Sequence, residues 1–419
     1  MNKFKKFIMH MLAAASVVTA CVMLAVGYSY KLNPMEHPLF ANVGLVFPIF
    51  LLINGAFLIL FLLTWKRLTL IPLAGYVLCY IPAHFYSPLN MLHSTPDGAI
   101  KVMSYNVYMF HSGDSASIQK IADYVNGSGA SIVCMQEAAF SDVIRDAFKK
   151  EYEYIDTMRN GVNGEVQIVL SKFPILSKTR INPELSGCMC GAYEVLIDGD
   201  RTTVINCHFE TSGLTLEERS EFRNIVKGDW ENHSVRQDSK RMIVRLGEAA
   251  KRRVPQVEGV IRYIESRKGE PILLFGDFND TPISYCHHLL AKTLTDCYVT
   301  TANGPGISYH YNRIYVRIDN VMCSNDWHPY NFTVDRSINV SDHYPLWGFV
   351  KKSLHNDKKH TDSLRSLKKI SIFALYVGMY CAFSHGNHHA STRNFKHQSL
   401  GKPLRSPAAE QQGGDAGYI

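Results

Sequence analysis

Pro271-Ile-Leu-Leu-Phe-Gly-Asp-Phe-Asn279 decides how this chain folds. Pro271 to Phe275 is a short apolar run closed by a glycine, which favours a buried strand over a helix. Gly276 lets the backbone turn, and Asp277 and Asn279 follow with Phe278 between them. Alternate residues of an extended segment point the same way, so a carboxylate and a carboxamide project together from the strand's end. One only accepts hydrogen bonds and the other donates and accepts, a pair suited to a polarised water and a phosphate oxygen. Taken alone, Gly, Asp and Asn are also ordinary turn formers. The question is whether other strands end the same way.

They do. Ala99–Val107 reads as a strand carrying Asn106, and Ser131–Met135 as an apolar strand followed by Gln136 and Glu137. Gly191–Ile197 and Thr202–Phe209 form a predicted hairpin around Asp198-Gly199-Asp200, the second strand carrying His208. Tyr315–Cys323 reads as a strand holding Arg317 and Asp319, and Ser341-Asp342-His343 leads into a last strand, Leu346–Val350. Val166–Leu170 is a further strand. Ile118, Ile121, Ala122 and Val125 recur at helical spacing, as do Val143, Ile144, Ala147 and Phe148. Leu214–Arg267 is charged and mostly helical, and its Lys251-Arg252-Arg253 face reads as a solvated surface. Strands outnumber helices, a pattern that favours two packed sheets with helices outside.

The chain has 419 residues with 46% hydrophobic and 19% charged side chains, which excludes wholesale disorder. Its net charge of +7 is compatible with a polyanionic or membrane partner. Residues 7–28, 44–65 and 68–86 are long apolar stretches, each near the ~20 residues that cross a bilayer. The second carries only Asn54 as a strongly polar side chain, and the third is broken by Pro72, Pro82 and His84. Lys3, Lys5 and Lys6 precede the first, and Lys66 and Arg67 separate the second from the third. The positive-inside rule then puts everything after Tyr86 on the non-cytoplasmic side of a multi-pass membrane protein. A rival reading takes Met1–Ala20 as a signal peptide ending at a lipoprotein-like Val18-Thr-Ala-Cys21, but the apolar run continues past the cysteine. The expected organisation is a membrane region (1–86), a Pro/Asn/Gly-containing linker (87–98), an α/β domain (99–350) and a basic then polar tail (351–419) with a short apolar run at 370–383.

Ten cysteines include no Cys-x-x-Cys, which argues against a thiolate zinc site. Cys188 and Cys190 are too close for an easy mutual disulfide. His287-His288 and His388-His389 lack neighbours that would complete a metal site.

In order, Ser-Tyr-Asn106, Gln-Glu137, Asn-Cys-His208, Gly-Asp277-Phe-Asn279, Arg-Ile-Asp319 and Ser-Asp342-His343 resemble the motifs of the endonuclease/exonuclease/phosphatase superfamily (DNase I-like), in a membrane-anchored, bacterial-type form. Leu170-Ser-Lys-Phe-Pro-Ile175 is similar to the family's internal strand, and the resemblance covers about Ala99–Val350. It implies a four-layered α/β/β/α sandwich and phosphoester hydrolysis with a divalent cation, magnesium or alternatively manganese. It makes Glu137 the expected direct metal ligand, with Asp342 and Asn106 in or around its shell. Asp277 would orient or deprotonate the attacking water and Asn279 would hold a phosphate oxygen. His343 would bind the scissile phosphate with its ring fixed by Asp319, and His208 would donate to the phosphate or assist the leaving group. Asn320, after Asp319, departs from the aromatic or aliphatic residue of many relatives, and Gly187-Cys-Met-Cys190 has no clear counterpart.

The motifs define a reaction more closely than a substrate. Nucleic acid, phospholipid headgroups in the manner of sphingomyelinases, and small phosphate esters all qualify, with a nuclease slightly favoured. A nuclease needs a basic groove, toward which Arg159, Lys172, Lys178 and Arg180 are candidates. The bilayer is the expected partner of the N-terminal helices, and no protein partner is expected. A non-catalytic, phosphate-binding membrane sensor on a degenerate fold is the alternative of another class, disfavoured because all eight positions are filled.

Overall fold

The structure, a computed structural model, describes residues 3–91, 93–159, 165–212, 233–311 and 314–353. The chain divides into two compact units, Met1–His355 and Asn356–Ile419. The second unit, with the apolar run 370–383, lies outside the described residues, as do 213–232.

Within the first unit the sandwich has four layers. One sheet runs β11-β12-β1-β2-β4-β3 and the other β5-β6-β7-β8-β10-β9. Their centres are built alike. β1 (Ile100–Asn106) lies parallel to β2 (Ile132–Ala138) across the helix α6 (Ser115–Gly127), and the short helix α7 (Asp142–Phe148) follows β2. β7 (Asp200–His208) lies parallel to β8 (Ile272–Asp277), with the long helix α8 (His233–Ser266) between them in sequence. Parallel neighbours need such crossovers, and they leave both carboxyl ends on the same edge of each sheet.

Alternation sorts the side chains. Leu273 and Phe275 of β8 and Val102 of β1 enter the layer between the sheets. Ile272 and Leu274 pack outward with Val257 and Val260 of α8, and Met103 and Tyr105 pack outward with α6. Two faces therefore bury apolar residues on each central strand, which explains why the strands read as continuous apolar runs. Between the sheets, just beneath the strand ends, Gln136 donates to the Asn206 side chain (2.8 Å) and Asn206 donates to the Met135 carbonyl (3.0 Å), joining the layers.

The remaining strands are β3 (Tyr154–Arg159), β4 (Val166–Ser171), β5 (Ile175–Ile181), β6 (Met189–Ile197), β9 (Thr295–Asp296), β10 (Asp319–Cys323), β11 (Trp327–Val334) and β12 (Leu346–Lys352). The strand expected over Tyr315–Cys323 starts only at Asp319. Before it, Val316 makes an isolated bridge with Tyr309. The hairpin β6–β7 turns at Asp198-Gly199, both with positive φ, as a two-residue hairpin turn requires.

At the N-terminus, α1 (Lys3–Gly27) and α2 (Phe47–Thr64) belong to two apolar helical stretches long enough to cross a membrane, Lys3–Lys31 and Pro38–Thr64. The third expected span is bent by 64° where α3 (Leu70–Leu78) gives way to α4 (Tyr80–Tyr86). These helices are not a separate body. Ile283 of the sandwich packs into their cluster with Met23, Val26 and Phe47. The α1–α2 connector carries short 3₁₀ turns at Pro38–Phe40 and Val43–Val46. It meets the sandwich backbone to backbone at two glycines. A Cβ on Gly44 would lie 2.4 Å from the Ile283 carbonyl oxygen, and one on Gly247 of α8 would lie 2.5 Å from the Pro38 carbonyl oxygen. The linker is pinned as well, Asn90 donating to the Val299 and Ala302 carbonyls, and α4 is tied to the sandwich by Arg317, which donates to the Phe85 carbonyl at 2.5 Å. All nine cysteines among the described residues are free thiols.

Candidate active site

The carboxyl ends of the four central strands deliver Asn106, Glu137, His208 and Asp277 to one mouth. Local backbone aims them. The β2–β4 register shifts between Met135 and Ala138, and Glu137 inside that irregularity has φ +44°. A bulge of this kind redirects a side chain out of the pleat. A Cβ on Gly276 would lie 2.0 Å from the Cys207 carbonyl oxygen, so only glycine lets β7 and β8 close up behind Asp277. Asn279 also takes a left-handed conformation, φ +49°. Its backbone N–H donates to Asp277 Oδ1 (2.8 Å) and its side chain donates to the Phe209 carbonyl (3.0 Å).

Asp277 is the centre of the arrangement. Asn106 Nδ2 donates to Asp277 Oδ2 and to Glu137 Oε1, each at 3.0 Å. The Nε2 atoms of His343 and His208 lie 3.6 and 3.9 Å from Asp277 Oδ2. Each imidazole is held from behind by a carboxylate. His343 Nδ1 is 2.7 Å from Asp319 Oδ2, and His208 Nδ1 is 2.6 Å from Glu165 Oε1. Asp319 reaches that place because β10 runs antiparallel to β8 with Asp319 opposite Asp277. Such a pair fixes the tautomer and favours the charged ring.

The electrostatics follow from burial and neighbours. Burial opposes a charged His208, but Glu165, Glu137 and Asp277 outweigh it and raise its pKa to about 10. His343 is raised to about 10 in the same way, against burial, by Asp319, Asp277 and Asp342. Burial and the charge of Asp319 raise Asp277 to about 6 despite both histidines. Burial also raises Asp342, which His343 lowers and Glu137 raises.

Among the described residues, five carboxylates, those of Glu137, Glu165, Asp277, Asp319 and Asp342, thus meet two imidazoles and no lysine. Glu137, His208 and Asp277 offer ligand atoms within 4.8 Å of one another, and so do Asp277, Asp319 and His343. His208 Nε2 and Asp319 Oδ1 are buried without a hydrogen-bond partner. An excess of hard, anionic oxygen donors, with the buried Asp319 Oδ1 unsatisfied, fits a divalent cation of the magnesium type. The sequence expectation named Glu137, Asp342 and Asn106 for it. Glu137 and Asp342 line the cleft, and Asn106 bonds Glu137 directly.

Sequence reasoning missed Glu165 and gave no role to Ser341 of the Ser-Asp342-His343 motif. Glu165 reads as an ordinary carboxylate before a strand. Ser341 ties two motifs together, donating to the Asn106 carbonyl (2.7 Å) and accepting from the His343 N–H (3.1 Å).

The cleft, about 760 Å³, runs outward from this cluster. Tyr108 and Met109 form one side of it and sit in a short helix, α5 (Tyr108–Gly113), whose residues Tyr108 to His111 have φ of +45 to +53°. Left-handed turns of this kind cost roughly 1–2 kcal/mol per residue. Arg253 is the sole Lys or Arg among the described lining residues, and its Nε lies 3.4 Å from Asp280. Arg159, Lys172, Lys178 and Arg180 do not line the cleft, and Lys178 is bonded to Asp156. The expected basic groove is therefore absent from the described lining.

Among solved structures, an endonuclease/exonuclease/phosphatase family protein from Bacteroides thetaiotaomicron aligns with a TM-score of 0.45 at 18% identity, covering 62% of this chain and 100% of its own. Truncated Caenorhabditis elegans TDP2 aligns with a TM-score of 0.43 at 17% identity over 61% and 99% of the two chains. D. rerio TDP2, complexed with a single strand DNA product, aligns with a TM-score of 0.43 at 14% identity over 61% and 100%. No curated protein matches. The sequence model of a domain of unknown function matches residues 6–86. That of the endonuclease/exonuclease/phosphatase family matches residues 103–343, more than half of the chain, and by that match over this two-sheet fold the chain belongs to the endonuclease/exonuclease/phosphatase family.

Proposed function

We propose that the chain is a membrane-anchored, divalent-metal-dependent phosphoesterase. The observation that carries this reading is the pair of carboxylate-backed imidazoles, Glu165–His208 and Asp319–His343, converging on Asp277 beside Glu137. Two cationic rings facing one point suit a phosphoryl group whose equatorial oxygens carry the developing charge. Asp277 is the group positioned to orient a water, and Asn279 keeps a second side-chain N–H beyond the one it gives to Phe209. Glu137 and Asp342 would hold the cation, with Asn106 donating to Glu137 around its shell. When bound, it supplies neutralisation of charge on the phosphoryl and leaving oxygens. His343, raised by its carboxylates, stays protonated at neutral pH and binds the phosphate as a cation. His208 is the second proton-bearing ring, next to the leaving group or a phosphate oxygen.

Anchoring rests on the apolar stretches Lys3–Lys31 and Pro38–Thr64. The organisation that fits is helices through Tyr86, a pinned linker, and the catalytic sandwich to Lys352 on the non-cytoplasmic side. The test is hydrolysis of bis-p-nitrophenyl phosphate by the full chain in detergent with magnesium or manganese. EDTA is expected to abolish turnover and magnesium to restore it. Glu137→Gln and Asp277→Asn should each lower turnover by roughly 10²–10⁴-fold. Turnover that survives EDTA and both substitutions would refute the assignment.

A further inference from the structure

We infer that the phosphoester is carried by a phospholipid of the bilayer, and that the connector between α1 and α2 is a wall of the substrate site. The inference rests on the hydrolase reading above and names its substrate class. Asn42 and Leu45 of the connector line the same cleft as Glu137, His208 and Asp277. They do so although α1 and α2 flank them on either side as helices of membrane-crossing length. The reacting cluster therefore opens where those helices leave the membrane.

Three observations favour a lipid over other phosphoesters. First, apolar side chains line the cleft together with the reacting cluster: Leu45, Leu246, Ile314, Val316 and Met109. A headgroup ester at the cluster would leave its hydrocarbon side along these residues, continuous with the apolar helices. Second, the connector and the helix it touches carry exposed apolar side chains. Leu39 and Phe40 on the connector are 56% and 55% exposed, and Ile243 of α8, one turn before the Gly247 that touches Pro38, is 45% exposed. Side chains of this kind in water are a liability, and at a bilayer surface they are buried. Third, a nucleic-acid strand needs cations along its backbone, and Arg253, tied to Asp280, is the single Lys or Arg in the described lining. The glycine contacts at Gly44 and Gly247 lock the connector to the sandwich, so the wall is built in and not recruited.

The reaction is hydrolysis. Water forms one new P–O bond, and the P–O bond to the lipid alcohol breaks. One proton of that water ends on the departing alkoxide and its oxygen and remaining hydrogen stay on phosphorus, so no oxidant or co-substrate is needed.

The test uses the full chain reconstituted with magnesium in phosphatidylcholine vesicles containing phosphatidylglycerol, phosphatidylethanolamine or sphingomyelin. Release of neutral lipid is measured beside hydrolysis of bis-p-nitrophenyl phosphate and of single-stranded DNA in the same preparation. The expected result is turnover of at least one vesicle lipid, abolished by Glu137→Gln. Leu45→Glu should lower the ratio of lipid to soluble-diester turnover at least tenfold, while Leu45→Met retains it. Hydrolysis of the soluble diester or of DNA with every vesicle lipid intact overturns the lipid assignment and leaves the hydrolase reading standing. An unchanged ratio in Leu45→Glu overturns the connector's role. No turnover of any substrate by a chain whose melting profile shows it folded overturns both.

Discussion

Glu165 shows what a single residue contributes here and why it escapes sequence reading. Nothing in its neighbourhood separates it from a surface carboxylate, because its partner His208 is brought to it only by the fold. The eight motif residues were legible for the opposite reason: each sits at or beside the end of a strand-like run, where a polar side chain stands out against apolar neighbours. Glu165→Gln keeps the shape but removes the charge that holds the His208 ring. Turnover of a soluble diester should fall roughly 10–100-fold, the usual cost of losing an orienting partner, with a smaller change in KM, as steady-state kinetics would show. Asp319→Asn tests the other ring through pH. His343 is raised from 6.5 to about 10, so its partners stabilise the fold fully below pH 6.5, and this is lost as pH rises through about 10. Without Asp319 that pKa falls, and the alkaline limb of the rate profile should move down by roughly one to three pH units. An unmoved limb would separate His343 protonation from catalysis.

Among elements, the central strands announced themselves and the edges did not. β1, β2, β4, β7 and β8 bury both faces and read as apolar runs, whereas β5 exposes Leu176 to Thr179 in succession and β3 carries a mixed pattern. Half-exposed edge strands offer no continuous hydrophobic signal. The bend between α3 and α4 falls at Cys79, between the two prolines that marked this stretch as broken. The connector's fit to the sandwich was invisible, because a glycine's sequence does not say what stands opposite. Gly44→Ala and Gly247→Ala should each destabilise the chain by about 1–3 kcal/mol, the cost of overpacking a closed contact, read as a lowered thermal midpoint in detergent. Gly127→Ala, at the end of α6 with nothing within 4 Å, is the control and should be neutral or stabilising by up to about 1 kcal/mol.

At the scale of the whole molecule, charge sets direction. Lys3, Lys5 and Lys6 lie at one end of the helical region, Lys66 and Arg67 at the turn after α2, and the sandwich follows α4. If the bent α3–α4 pair returns across the bilayer, the N-terminus and the turn face the cytoplasm and the sandwich faces away. In intact cells, protease added outside should digest the sandwich and spare a tag fused before Met1; protection of both would put the sandwich on the cytoplasmic side, with the α3–α4 pair not crossing. The two-sheet architecture was readable from the order of strands and motifs. The partnership of residue 45 with residues nearly a hundred or more positions away was not, since no local pattern records a contact so distant in sequence.

The union of connector and sandwich has a practical consequence. A fragment trimmed to begin after the linker would retain every motif yet lose the cover over Ile283, Gly247 and the neighbouring surface of α8. What is an internal seam in the intact chain would become an open, sticky face, and such a fragment should self-associate during purification. Sluggish or absent turnover from it would then report on amputation and not on chemistry, and a transplant of this sandwich onto another anchor would carry the same wound.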